Sequence, residues 1–263
     1  MAELGGREFG VRDRGPIRLL MPVPGKGLSM KQLLAGLVFI TSCASVVSAA
    51  QNREADRLTR AAEVVNEVMG TPEKGIPHDL LNRAVCVGVI PSQLKLAIGL
   101  GGSFGRGVLI CRRGGNGPWG APSMFTVGGA NIGFQLGGQA TDFVLIVMNA
   151  KGAQKLLQSR SKLGADASVA GGPVGRTAEG ATDVQMHAEI LTYSRSRGLF
   201  AGISLEGQIV KQDHDANARL YGRKIDPKDI LIAGSVGAPA AAQPLIAALA
   251  KYAPQGGEKF VTK

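Results

Sequence analysis

Four arginines are placed among small or hydroxyl-bearing residues, where a guanidinium group stays accessible: Arg106, Arg176, Arg195 and Arg197. Arginine binds phosphate through a planar fork of N–H donors, so arginines of this kind near turns are candidate phosphate contacts. The alternative is that they form ion pairs inside the fold. Acidic residues occur in the same parts of the chain, namely Asp142, Asp166, Asp183, Glu189 and Glu206.

Other chemistries have weaker sequence support. Gly99–Gly107 superficially resembles a phosphate-cradling loop, but such a loop must open a helix, and a strand-like run, Val108–Cys111, follows it. The one Gly-x-Ser-x-Gly match, Gly101–Gly105, belongs to this same loop, which a strand-like run follows, whereas a nucleophile elbow joins a strand to a helix. The three histidines, His78, His187 and His214, are too scattered for the ligand spacing of a zinc site. We therefore expect no enzyme activity, no metal and no cofactor.

Composition indicates the kind of fold that positions these residues. Of 263 residues, 38 are glycine, 44% are hydrophobic and only 19% are charged. This balance favours β-structure with tight turns over a helical bundle, and the apolar content is too high for a disordered chain. We predict an α+β fold, in which a mainly antiparallel, glycine-rich β-sandwich or barrel carries an N-terminal helix and a few packed short helices.

Apolar periodicity divides the chain into elements. Helices are predicted at Gln51–Met69, from Pro77, and at Lys151–Ser159, Asp213–Tyr221 and Ala238–Tyr252. Strands are predicted at Val85–Ile90, Leu96–Gly101, Gly105–Cys111, Ser123–Phe134, Thr141–Met148, Ala165–Val174, Met186–Tyr193 and Leu199–Val210. Turns are expected at Pro91-Ser92, Gly101-Gly102 and Gly114–Pro118, and Pro227–Ala233 is interpreted as a strand or a linker.

The N-terminal 50 residues predict export. Met30-Lys31 and the apolar run Leu33–Ile40 are typical of a secretory signal and too short for a membrane-spanning helix. Cleavage near Ala49-Ala50 would release a soluble protein, whereas Ile40–Cys43 resembles a bacterial lipobox with Cys43 as the acylated residue. Residues 1–29 are interpreted as an over-long start or a non-structural leader.

Two further cysteines, Cys86 and Cys111, lie in apolar strand patterns. In an oxidising compartment they could form a disulfide, and as buried free thiols they would pack like small apolar side chains. The sequence leaves both alternatives open.

The net charge favours an anionic partner. The whole chain carries a formal charge of +10, and residues 51–263 hold 24 basic and 17 acidic side chains. Such a balance attracts phospholipid headgroups or other polyanions, although it is equally typical of a protein that is merely soluble.

Three long segments carry a resemblance to a known family. They are ATDFVLIVMN at Ala140–Asn149, KLGADASVAGGPVGR at Lys162–Arg176 and YSRSRGLFAGISLEG at Tyr193–Gly207. In order and spacing they resemble the SYLF domain, a lipid-binding module found from bacteria to animals. The resemblance covers about residues 51–221, so we expect the domain at residues 51–222 and a C-terminal extension with a helix at residues 223–263.

The resemblance implies a binding function. Animal relatives bind phosphoinositides and yeast relatives bind filamentous actin, and in relatives an amphipathic N-terminal segment contributes to membrane binding. For Gln51–Met69 this competes with packing against the sheet, which its valines, alanines and mixed charges favour. We expect a non-catalytic, exported protein, periplasmic or lipid-anchored, that binds anionic phospholipid surfaces and no nucleic acid, with Arg106, Arg176, Arg195 and Arg197 as headgroup contacts. The alternative is a structural or protein-interaction module of the cell envelope, with actin binding only an inherited family label.

Overall fold

Within the described residues, seven strands form one curled sheet that helices cover on both faces. The computed structural model describes residues 53–70, 75–175, 185, 187–196, 199–254 and 256, with the backbone alone described at 96–100, 131–139 and 199–200. The sheet is antiparallel except for one parallel pair, and it curls into a half-barrel. The predicted α+β class is confirmed.

The strands are β1 at Cys86–Arg112, β2 at Trp119–Val147, β3 at Ser161–Lys162, β4 at Val169–Gly171, β5 at Ile190–Ser196, β6 at Leu199–Gly202 and β7 at Ile209–Gln212. Their order is β3-β7-β2-β5-β4, with β1 also paired to β2 and β6 to β5. The helices are α1 at residues 53–69, α2 at His78–Arg83, α3 at Ala150–Leu156, α4 at His214–Tyr221, α5 at Pro227–Leu231 and α6 at Gln243–Tyr252. No helix of the described ranges has both the length and the apolar character needed to cross a membrane.

The two longest strands correct the sequence prediction of five shorter ones. β1 and β2 pair from Cys86 opposite Val147 to Arg112 opposite Trp119. The turn predicted at Pro91-Ser92 is wrong: a β-bulge lies there, in which Ser92 has a φ of 54°. The turn predicted at Gly101-Gly102 is also wrong, because both residues pair in register with β2.

The two halves of β1 lie beside each other, which closes one side of the curled sheet. Val85 immediately precedes β1 and Arg112 is its last residue, yet the Arg112 N–H donates to the Val85 carbonyl at 2.9 Å. Cys86 and Cys111 form a disulfide across the same seam, which settles the alternative that the sequence left open. Further along, a Cβ on Gly105 would lie 2.7 Å from Ile90 Cγ2, so close approach requires glycine there.

Both faces of the sheet are buried, which explains the unbroken apolar run of β2. Successive side chains point to opposite faces of a strand. Phe143, Leu145 and Val147 therefore join a core with α3 and α5, while Val144 and Ile146 join a second core with α1, α2 and α6. The apolar face of α1 is buried in that second core, so the packing interpretation of this helix is confirmed.

Several local predictions are confirmed and others are wrong. Asp213 caps α4 by accepting from the Ala216 N–H at 3.0 Å, and Gly222 ends it with a φ of 68°. The segment interpreted as a strand or linker is α5 instead, because Asp226 caps it and Pro227 occupies its first position. The strand predicted at Ala165–Val174 is shortened to β4, and the strand predicted at Leu199–Val210 is divided into β6 and β7, with Gly207 at a φ of 81° between them.

Candidate functional site

A cleft of about 420 Å³ lies between α1 and the two halves of β1. Four arginines line it: Arg53, Arg57 and Arg60 from the helix, and Arg106 from the strand. The remaining lining residues are Pro91, Ser92, Leu94, Phe104 and Gly105. None of the described residues that line the cleft is acidic, so it concentrates positive charge.

The helical arginines reach the cleft because of their spacing. Arg53, Arg57 and Arg60 are separated by four and three residues, which places them on one side of a helix. The bulge of β1 adds an extra residue at Pro91-Ser92, and such bulges bend a strand and redirect its side chains. The bulge therefore positions the floor of the cleft opposite α1.

Arg57 is the most unusual of the four. Its side chain is 8% exposed, and its Nη1 donates no hydrogen bond to any described atom of the chain. The nearest carboxylate oxygen, Asp213 Oδ2, lies 3.9 Å from Nη1, beyond hydrogen-bond distance. Burial lowers the pKa of Arg57, the attraction of Asp213 and Glu54 opposes that effect, and Arg106 and Arg219 lower the pKa further. The site therefore holds a buried guanidinium group whose Nη1 donates no hydrogen bond to a described atom.

The nearby carboxylates are occupied elsewhere. Glu54 is 1% exposed and accepts from Arg219 Nη2 at 2.8 Å and from Arg219 Nε at 3.1 Å. Asp213 accepts from the Ala216 N–H as the cap of α4. Both carboxylates attract Arg57, but neither lines the cleft, so the residues an entering anion would meet there carry only positive charge.

Two apolar side chains border the same cleft. Leu94 is 54% exposed and Phe104 is 51% exposed. The guanidinium carbon of Arg106 lies 5.8 Å from the centre of the Phe104 ring, within the range of a cation–π contact. A basic cleft with exposed apolar side chains at its rim is a surface suited to an amphipathic ligand.

The four arginines predicted from the sequence as headgroup contacts do not share one site in the described residues. Arg106 lines the cleft. Arg195 forms an ion pair with Asp142, at 2.9 Å from Nη2, which is an internal pairing considered from the sequence, and a second ion pair with Glu67 of α1, which was not. Its role in headgroup binding stays a prediction. Arg176 and Arg197, and the lipidation candidate Cys43, lie outside the described residues.

Sequence reasoning missed Arg57. Arg53 and Arg60 were recognisable as part of the polar side of the helix, and the spacing of all three was the available signal. What the sequence could not show is that Arg106, 46 residues beyond Arg60, lies on the opposite wall of the same cleft.

The glycines of the two longer motifs have a packing role. A Cβ on Gly172 would lie 2.1 Å from Tyr193 Cζ, so the buried tyrosine ring occupies the space of a side chain there. The Tyr193 hydroxyl donates to the Pro173 carbonyl at 3.1 Å. A Cβ on Gly202 would meet the Gly172 carbonyl oxygen. The motifs at Lys162–Arg176 and Tyr193–Gly207 thus pack directly on each other.

The arrangement of possible metal ligands was the remaining feature of the described part of the chain. No group of three or more His, Cys, Asp or Glu side chains is arranged there to hold a metal ion. The curled sheet carries a basic cleft whose described lining residues could hold an anion.

Comparisons with known proteins agree with the motifs. Residues 128–252 match the family model described as Ysc84, Las17-binding protein actin regulator. The chain is 40% identical over 173 residues to an SH3 domain-containing protein of Schizosaccharomyces pombe, covering 65% of this chain and 40% of that protein. It is 34% identical over 215 residues to LAS seventeen-binding protein 3 of Saccharomyces cerevisiae, covering 79% and 46%. To SH3 domain-containing YSC84-like protein 1 of Rattus norvegicus it is 33% identical over 193 residues, covering 73% and 55%.

The chain therefore belongs to the Ysc84, or SYLF, family, a family of binding and regulatory domains, and the predicted resemblance is confirmed. It spans about half the length of these curated relatives or less.

Proposed function

We propose that this domain binds anionic phospholipid surfaces, without catalysis, through the cleft between α1 and β1. The observation that carries the proposal is the set of four arginines lining one cleft that has no acidic lining residue among those described. Arg106 is the single member of the predicted headgroup contacts in this set. Arg53, Arg57 and Arg60 join it.

Arginine chemistry favours phosphate as the group that enters. The guanidinium fork matches phosphate oxygens in a bidentate way and is less strongly hydrated than an ammonium group. The Nη1 atom of Arg57 is buried and donates to no described atom, so a phosphate oxygen that reached it would displace no existing hydrogen bond. A phosphate at this position would also relieve the repulsion between Arg57 and Arg106 that lowers the pKa of Arg57.

The exposed apolar side chains at the rim of the cleft favour a phospholipid over a free phosphate ester as the ligand. Leu94 and Phe104 at the rim are each more than half exposed, which suits contact with lipid rather than with bulk water. Each basic side chain near an anionic surface contributes about 1 kcal/mol, and this attraction is screened over about 10 Å at 0.1 M salt.

Vesicle co-sedimentation tests the proposal. The protein should bind phosphatidylserine vesicles better than phosphatidylcholine vesicles, and binding should weaken as salt rises. Arg53→Ala and Arg60→Ala should each reduce binding about fivefold, the equivalent of about 1 kcal/mol. Arg160→Ala removes the same charge from an exposed residue after α3 that does not line the cleft, and it should leave binding unchanged. Equal binding to both vesicles at all salt concentrations would refute the electrostatic account.

A protein partner is the second candidate, because relatives carry the names Las17-binding and LAS seventeen-binding. An acidic peptide segment would also meet the cleft arginines. Direct binding distinguishes a lipid ligand from a protein partner. If lipid is the ligand, anionic vesicles should bind the purified protein with no second protein present.

We also propose export, either to the periplasm or to an envelope membrane by acylation of Cys43. The disulfide between Cys86 and Cys111 supports this proposal, because disulfides persist in oxidising compartments. Mass spectrometry of protein expressed from Met30 in a diderm bacterium tests it. Cys43→Ser should abolish acylation, whereas a mature N-terminus near Gln51 would refute the lipoprotein form.

A further inference from the structure

The middle of the β1–β2 pair forms a ribbon with a distinctive composition. We call residues 94–104 and 128–140 the central ribbon, and its backbone pairs from Leu94 opposite Ala140 to Phe104 opposite Gly128, with a register shift between Ala97 and Gly99. Lys95 is the single charged residue in these two stretches of sequence. A ribbon so poor in charge, beside a cleft lined by four arginines, has a different chemical character from its surroundings.

The two ends of the central ribbon border the basic cleft. Leu94 and Phe104 both line it, and both are more than half exposed. Leaving such side chains in water forgoes the hydrophobic stabilisation that their burial would give. Since the arginines beside them attract anionic headgroups, the apolar region nearest to these side chains on a membrane is the layer just below the phosphates.

We propose that the central ribbon is a membrane-inserting element: Leu94 and Phe104 enter the boundary between headgroups and acyl chains while the cleft arginines hold the phosphates. This inference rests on the proposed function, and it names the part of the bilayer that the domain contacts. It predicts that binding has a salt-insensitive component, contributed by apolar insertion, beside the salt-sensitive component of the arginines.

Backbone hydrogen bonding sets the depth of insertion. Pairing within the ribbon satisfies inward N–H and C=O groups on either side of the register shift between Ala97 and Gly99. A two-stranded ribbon keeps outward N–H and C=O groups along each strand, and these cannot be left unpaired in the hydrocarbon core. Insertion is therefore confined to the interface, roughly 5–10 Å into the headgroup and acyl boundary.

Depth-dependent fluorescence quenching tests the inference. The protein has one tryptophan, Trp119, which is 5% exposed, so the wild-type protein supplies the background emission. Phe104→Trp introduces an indole at the proposed insertion point. In phosphatidylserine vesicles whose acyl chains carry bromine close to the headgroup, the added emission should be quenched. Bromine near the chain ends should quench it much less, and wild-type emission should be unaffected by either.

Binding at high salt gives the second measurement. Phe104→Ser and Leu94→Ser should each lower vesicle partitioning by roughly five- to tenfold once salt has screened the arginines. Ile203→Ser is the matched control, because Ile203 is 40% exposed and does not line the cleft, and it should bind like the wild type.

The outcomes separate this inference from the proposed function. If the wild type binds anionic vesicles with the expected salt dependence, but Phe104→Trp is not quenched and both serine variants bind normally, the insertion is refuted alone. If the wild type binds no vesicle of either composition, the proposed function fails and the insertion fails with it. Quenching by shallow bromine, together with the loss at high salt, supports the inference.

Discussion

Replacing Arg57 by methionine should raise the stability of the domain while weakening membrane binding. The substitution keeps an unbranched side chain of similar reach and removes the charge. Such an opposite pair of effects is the signature of a residue retained for binding. If Arg57 were retained for folding, replacing it would instead lower the stability of the protein.

The magnitude follows from the surroundings of the guanidinium group. Burial has the largest influence on the pKa of Arg57 and lowers it, so the folded protein disfavours the charged form despite Asp213 and Glu54. Both carboxylates keep other partners, Ala216 N–H for the first and Arg219 for the second, so neither is left unpaired. Replacing a whole buried ion pair by apolar side chains is neutral or stabilising by about 1–4 kcal/mol, whereas removing one member of a close pair destabilises because it strands the other charge. Arg57 lies 3.9 Å from Asp213, and both carboxylates keep other partners, so the first case is the nearer one. We expect about 0–2 kcal/mol here, at roughly 2–4 °C in Tm for each kcal/mol.

The assay is thermal or urea unfolding, paired with vesicle co-sedimentation. Arg57→Met should bind phosphatidylserine vesicles about fivefold more weakly, the equivalent of about 1 kcal/mol. Arg60→Met is the control. Arg60 lies on the same helix and lines the same cleft, but it is an exposed residue, so vesicle binding should fall with little change in Tm. A loss of stability above about 3 kcal/mol for Arg57→Met would show that its guanidinium is a structural ion-pair partner and refute the reasoning.

Three further predictions concern stability. Replacing Cys86 and Cys111 together by alanine should cost about 3–4 kcal/mol in urea unfolding, the chain-entropy value for a sequence separation of 25 residues; an unchanged midpoint would show that the disulfide is dispensable. Gly172→Ala should lower Tm by the equivalent of about 1–3 kcal/mol because its Cβ would overlap Tyr193, whereas Gly237→Ala, with open space around it, should be neutral. Burial alone would raise the pKa of Glu189, but hydrogen bonds from Lys155, from the Ser168 N–H and from Lys151 together hold it below its usual range. Its stabilisation is therefore complete above the ordinary glutamate pKa of about 4.3 and is lost as pH falls below it, so Glu189→Gln should reduce the acid dependence of Tm there.

The sequence predicted the elements whose signals are local. The helix at residues 53–69 follows from apolar residues at helical spacing, and α4 follows from Asp213 and Gly222 at its ends. The hairpin turn at Gly114–Pro118 follows from consecutive glycines, of which Gly114 has a φ of 63°. The family follows from motifs long and ordered enough to be recognised in one chain.

Strand boundaries were the least predictable part of the fold. A proline or a glycine pair within an apolar stretch indicates a turn when it is considered alone. In the folded protein the same residues continue β1, because β2 lies opposite and a bulge absorbs Pro91 and Ser92 without reversing the chain. Whether such residues end a strand therefore depends on the partner strand, which local sequence does not contain.

What the sequence by itself determined is the class of fold, the family, and the presence of arginines suited to phosphate. Only the tertiary structure decided what each arginine does. Arg112 and Arg113 are adjacent, yet the first is fully buried, donating to the Ala84 and Ala253 carbonyls over the Trp119 ring, and the second is exposed. Arg106 faces a cleft that helix α1 completes, whereas Arg195 meets carboxylates from two other elements. The physical reason is that the burial and pairing of a charge depend on groups distant in sequence, and these meet only when the sheet curls and α1 packs on it.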